Sequence, residues 1–105
     1  MQLAPDVFRA ISDPTRRAML DQLHRGDLPS GSLADGFDMS HAAVSQHLKV
    51  LRDAGLVRAR KDGRRRIYCL QPGGLQEVYQ WVEHYRAFWE HRLDALGVLL
   101  DQDAP

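Results

Sequence analysis

Residues 40–57 read SHAAVSQHLKVLRDAGLV, and the reading of this stretch decides the fold. Ser40 is a good helix N-cap, because its hydroxyl can accept from an unpaired backbone N–H of the first turn. Val44, Leu48 and Leu51 recur at i, i+4 and i+7, the period of one amphipathic helix face. Gly55 follows the last periodic position, where a glycine can take a positive φ and end the helix. With Val44 as origin and about 100° per residue, Ala42, Ser45, Gln46 and Lys49 fall between about 100° and 200°, opposite the apolar stripe. That outer face is small or polar and meets no carboxylate until Asp53. Small side chains permit close approach to a surface, Gln can pair bidentately with adenine, Ser can donate or accept, and Lys reaches a phosphate. An ordinary solvated helix has a similar face, so the flanking segments decide between the two.

Downstream of Gly55 the period changes from 3.6 to about 2. Leu56 to Lys61 and Arg64 to Leu70 read as strands joined by Asp62-Gly63, a strong hairpin signal through a type I′ turn. Ile67 and Cys69 share one strand face, Tyr68 and Leu70 the other. Residues 56–66 hold Arg58, Arg60, Lys61, Arg64, Arg65 and Arg66 against Asp62 alone. A solvated hairpin more often mixes signs. A basic ribbon beside such a helix can follow a duplex backbone or enter a minor groove.

Upstream, Leu3, Val7, Phe8 and Ile11 mark a first short helix. Asp13-Pro14 reads as N-cap and first helical residue of a second, with Ala18, Met19, Leu20 and Leu23 inward and Gly26 at its end. Arg16 and Arg17 lie in the first turn, where they oppose the helix dipole, so each needs a binding partner or a nearby acid. Asp27 to Ser30 reads as a loop, and Ser32 to Phe37 as a third helix with Leu33 and Phe37 inward. A short turn into the Ser40-capped helix completes a helix-turn-helix.

Gln71-Pro72-Gly73-Gly74 breaks the chain, and Leu75 to Leu100 reads as one long helix. Leu75, Val78, Val82, Tyr85, Trp89, Leu93, Leu96 and Leu100 form a stripe that Tyr79, Trp81, Phe88, Val98 and Leu99 widen. Such a face exceeds what a small domain can cover, and a second copy is the expected cover, since two-fold homodimers are the commonest assembly. Aromatic anchors suit an interface core.

The 105 residues are 44% hydrophobic, enough for one domain with a modest core. The expectation is a single domain over residues 1–105, with a dimerisation helix at about 75–100. No apolar run is long enough to span a membrane, and MQLAPDVFRA has no secretory pattern. Cys69 is the only cysteine, which excludes an internal disulfide and fits the cytosol. Net charge is zero, but the last thirty-one residues hold six acids against Arg86 and Arg92. One end is thus basic and the other acidic, so the first can meet a polyanion while the second stays away. No spacing joins a nucleophile, a base and an oxyanion donor, so no enzyme is expected.

FRAISDPTRRAML, SLADGF, SHAAVSQHLKVLRDAGLV and RKDGRRRIYCL together resemble the ArsR/SmtB family of bacterial winged-helix repressors. The resemblance runs from about Val7 to the end of the chain. It implies a mainly α fold with a β-hairpin wing: four helices, two strands and a fifth helix, dimerised through the first and last helices. It implies a homodimeric repressor of an operator with imperfect two-fold symmetry. The expected DNA-contacting residues are Ser40, His41, Ala42, Ser45, Gln46, His47, Lys49 and Arg52 on the helix, with Arg58, Arg60, Lys61, Arg64, Arg65 and Arg66 on the wing. The expected dimer residues are Leu3, Val7, Leu75, Val78, Val82, Tyr85, Phe88, Trp89, Leu93 and Leu96.

The chain departs from the family's metal sensors. LPSGSLAD holds no cysteine or histidine, and His84 and His91, with Glu83, Glu90 and Asp94, do not reproduce the longer histidine spacing of the last-helix metal set. A lone Cys69 cannot make a redox pair within the chain and suits a buried apolar position. No metal or other cofactor is therefore expected, and WEHRLDAL looks like the metal-independent branch, whose members often repress their own operon. A metal- or redox-responsive repressor and a winged-helix module that docks protein are the alternatives.

Overall fold

The computed structural model describes residues 7–102. Leu3, expected at a dimer interface, lies outside the described residues. The elements are α1 (Val7–Ile11), α2 (Pro14–Arg25), β1 (Leu28–Pro29), α3 (Ser30–Asp35), α4 (His41–Asp53), β2 (Val57–Asp62), β3 (Arg65–Leu70) and α5 (Gln76–Gln102). The chain divides into two compact units, one ending at Leu75 and one beginning at Gln76.

In the first unit, α4 forms as its sequence dictates. The Ser40 hydroxyl accepts from the Ala43 N–H at 3.1 Å, satisfying one unpaired donor of the first turn. Val44, Leu48 and Leu51 are buried. At the other end Gly55 takes φ +78°. Its N–H donates to Arg52 at 3.0 Å, and the Leu56 N–H to Leu51 at 2.9 Å. This is the Schellman arrangement, in which a left-handed residue turns the last free carbonyls back onto the chain. Leu51 and Leu56 are both buried, the apolar contact that accompanies the motif. The core is completed by Met19, Leu20 and Leu23 from α2, Leu33 and Ala34 from α3, and Ile67, Tyr68 and Cys69 from β3.

The strands form an antiparallel sheet in the order β1-β3-β2. Val57 opposes Leu70, and the ladder runs to Asp62 opposite Arg65. The hairpin turn is therefore Gly63-Arg64, one residue later than expected. Gly63 has φ +65°, and no non-glycine residue among those described has a positive φ. One positive φ at the first turn position is the type II′ pattern, not type I′. Asp62 is freed to act as a strand residue.

β1 was expected to be loop. Leu28 pairs with Tyr68 and Pro29 with Ile67, adding a third strand before α3. Proline is tolerated because β1 is an edge strand, where its missing N–H costs no ladder bond. The third helix is shifted to Ser30–Asp35, and Phe37 is half-buried beyond its end. After β3 the Gln71 N–H donates to the Leu56 carbonyl at 2.9 Å. A Cβ on Gly74 would lie 2.5 Å from the Gly55 carbonyl oxygen, so only glycine fits that return.

The second unit is α5 alone, an amphipathic helix whose apolar arc is exposed: Trp89 is 58% and Leu93 62% accessible. Its polar side is laced by Arg86, which meets Glu90 at 2.9 Å and Glu83 at 3.4 Å. Among the described residues no helix is long and apolar enough to cross a membrane.

Candidate nucleic-acid interface

The site is built on α4 and the β2-β3 hairpin. Burial of Val44, Leu48 and Leu51 turns the opposite face of α4 outward, and His41, Ala42, Ser45, Gln46 and Lys49 are exposed there. Ser40 is also exposed, its oxygen engaged by the cap and its proton free to donate. Lys49 Nζ lies 2.8 Å from Asp53 Oδ2. That hydrogen bond and charge hold the Asp53 carboxyl below its ordinary pKa. The pair is exposed, so its net worth is small, and Lys49 can exchange Asp53 for a phosphate at little cost. Arg52 is half-buried.

His47 does not belong to the outer face. It is half-buried, and its Nδ1 lies 3.3 Å from Arg16 Nη1. With Val44 as origin it sits at about 300°, on the flank of the buried stripe, about 100° from Gln46.

Arg16 and Arg17 both reach back to α1. Arg16 Nε donates to Ala10 O at 2.7 Å and Nη2 to Arg9 O at 3.1 Å. Arg17 Nη1 donates to Ile11 O at 2.7 Å. The two arginines thus satisfy the last carbonyls of α1, which have no partner within that helix. Their cost at the α2 dipole is offset by Asp13, whose Oδ2 accepts from the Arg16 N–H at 2.9 Å. That bond, reinforced by the charge of Arg16, holds the Asp13 carboxyl below its ordinary pKa.

On the wing, ladder alternation places Lys61 and Arg66 directly opposite each other, and Asp62 opposite Arg65. Arg65 Nη2 reaches Asp62 at 3.4 Å, and Arg60 Nη2 reaches Asp27 at 3.7 Å. No acid among the described residues pairs with Lys61, Arg64 or Arg66. Arg58 is turned toward the strand, its Nε 3.2 Å from Cys69 Sγ. Cys69 is buried, as expected, with its Sγ accepting from Arg58 rather than lying among apolar groups alone. Arg64, Arg65 and Arg66 also line a groove of 560 Å³ with Pro29, Ser30, Gly31, Ser32 and Asp35. Ser30 and Ser32 reach the edge of the site only through the β1-β3 pairing, which local sequence does not signal.

Of the expected dimer residues, Val7 is already buried in the single chain, where it serves the core. Leu75, Val82, Tyr85, Phe88, Trp89, Leu93 and Leu96 are exposed, and Val78 is partly so. Trp81, Val82, Tyr85 and Trp89 border an apolar recess on α5. Among the described residues no three His, Cys, Asp or Glu side chains are grouped to hold a metal ion.

Residues 11–60 match a family model described as a helix-turn-helix domain. The chain is 41% identical over 101 residues to the HTH-type transcriptional regulator Rv2034 of Mycobacterium tuberculosis, covering 95% of this chain and 92% of that protein. It is 38% identical over 80 residues to the transcriptional repressor SdpR of Bacillus subtilis, covering 76% and 89%. Among solved structures, an ArsR family transcriptional regulator superposes with TM-score 0.72 at 36% identity, over 80% of this chain and 92% of that one. A homodimeric winged helix-turn-helix DNA-binding domain from Mycobacterium bovis superposes with TM-score 0.63 at 26% identity, over 77% and 75%.

Proposed function

From the premise that the chain belongs to the ArsR family of helix-turn-helix transcriptional regulators, we propose that it is a cytoplasmic, homodimeric repressor of an operator with imperfect two-fold symmetry, its own promoter being the first candidate. The observation that carries the reading is the pairing of two surfaces in one unit. One is the acid-poor outer face of α4, with Ala42, Ser45 and Gln46 exposed. The other is a wing whose Lys61, Arg64 and Arg66 have no acidic partner among the described residues.

In this mechanism α4 enters the major groove. Gln46 and Ser45 read base edges, while Ala42 permits close approach. Lys49, Arg64 and Arg66 take phosphates, and the wing follows the backbone or a narrow minor groove. Two copies joined through the apolar arc of α5 set their reading helices about 34–36 Å apart, in successive major grooves of one duplex face. Repression then follows by occupancy of the promoter, with no catalytic step. The homodimeric M. bovis neighbour and the exposed α5 arc both support the assembly.

The test is footprinting and anisotropy on the DNA upstream of the chain's own gene, beside random duplex of equal length. A protected two-fold site, bound much more tightly than random DNA, is the expected result. Equal affinity for both overturns the reading.

A further inference from the structure

Resting on that reading, we infer that Arg16 and His47 form a positioning pin that sets the roll of the reading helix, and that sequence discrimination depends on it. The guanidinium of Arg16 is held from three sides. Nε and Nη2 donate to Ala10 O and Arg9 O at the end of α1. Nη1 faces His47 Nδ1 at 3.3 Å. Its backbone N–H is fixed by Asp13. A planar fork with several of its donors engaged has little freedom, so the imidazole it meets is fixed too.

Guanidinium carries donors only, so in this hydrogen bond Nδ1 of His47 is the acceptor. The α4 residues one turn from His47, Ala43, Val44, Val50 and Leu51, are uncharged.

The pin lies beside the reading residues without touching their face. His47 follows Gln46 in sequence, about 100° around the helix. A small roll of α4 therefore moves Gln46 off a base edge, whereas phosphate contacts through long side chains tolerate it. Loss of the pin lowers affinity for a chosen sequence more than affinity for random DNA. The net worth of one hydrogen bond corresponds to a loss of up to about tenfold in discrimination.

The experiment uses the full chain and a duplex selected from a randomised library, with random DNA as reference. The readout is the ratio of the two affinities. Wild type should discriminate well. His47→Asn keeps an acceptor near the position of Nδ1, so its ratio should match wild type. His47→Leu and Arg16→Ala should have a low ratio while melting cooperatively. Full discrimination by His47→Leu, or a ratio for His47→Asn as low as that of His47→Leu, overturns the pin. Wild type that fails to prefer any selected duplex overturns the DNA-reading proposal itself.

Discussion

Lys61 and Arg66 stand directly opposite each other across the β2-β3 ladder. Directly opposed strand residues have Cβ atoms about 4.5–5.5 Å apart, and like charges there are destabilising. Neither cation has an acidic partner among the described residues. A hairpin shaped only for stability would place an acid at one of the two positions, as it does one step on, where Asp62 opposes Arg65. The uncompensated pair is what a polyanion-binding wing requires. Lys61→Ala or Arg66→Ala should therefore leave stability unchanged or raise it by up to about 1 kcal/mol. Either should also weaken selected and random duplexes alike and reduce the slope of log affinity against log salt by about 1 per lost phosphate contact. Salt titrations by anisotropy check both, and an unchanged slope for both variants removes the wing from the contact set.

Gln46 is exposed on the outer face of α4 and is the side chain there best suited to an adenine edge. Gln46→Ala should cost about 1–3 kcal/mol on the selected duplex and almost nothing on random DNA. Equal losses on both mean that Gln46 touches only backbone.

Asp13 caps α2, and the Arg16 N–H, then the Arg16 charge, hold its carboxyl below the ordinary value. A carboxylate with a depressed folded pKa contributes stability above its unfolded pKa, and loses it as pH falls through the folded value. Asp13→Ala should cost about 0.5–2 kcal/mol at neutral pH. The gap to wild type should close as pH drops below about 4, the unfolded aspartate value. Urea melts at several pH values measure it, and a gap constant down to strong acid contradicts the assignment.

Trp89 lies within the exposed arc of α5, where the proposed second copy buries it. Truncating a packed Trp to Ala costs about 3–5 kcal/mol. In a dimer that loss falls on association, so the melting temperature should vary with protein concentration. DNA affinity should fall without any lost DNA contact, because each half-site loses its tethered neighbour. Sedimentation across a dilution series separates the outcomes. Wild type that stays monomeric at high concentration and still binds its operator tightly refutes the dimer.

Much of this architecture is local and therefore legible. The α4 cap at Ser40, its Val44-Leu48-Leu51 stripe and its stop at Gly55 are set by neighbouring side chains and one permissive glycine. The same holds for Asp13-Pro14 and for the hairpin, whose turn is displaced by one residue because a single glycine supports type II′ as readily as Asp-Gly supports type I′. Tertiary structure alone decided the rest. Leu28-Pro29 becomes a strand because β3, some forty positions later, offers an open edge; local chemistry marks the pair only as a break. Arg16 and Arg17 find carbonyls on α1, since helix ends expose acceptors that no sequence period marks. His47 turns from the surface to Arg16 because packing of α4 on α1 and α2 brings the two groups within 3.3 Å. Backbone conformation follows from short-range sterics and capping, whereas the partner of a long polar side chain depends on which distant segment the fold delivers beside it.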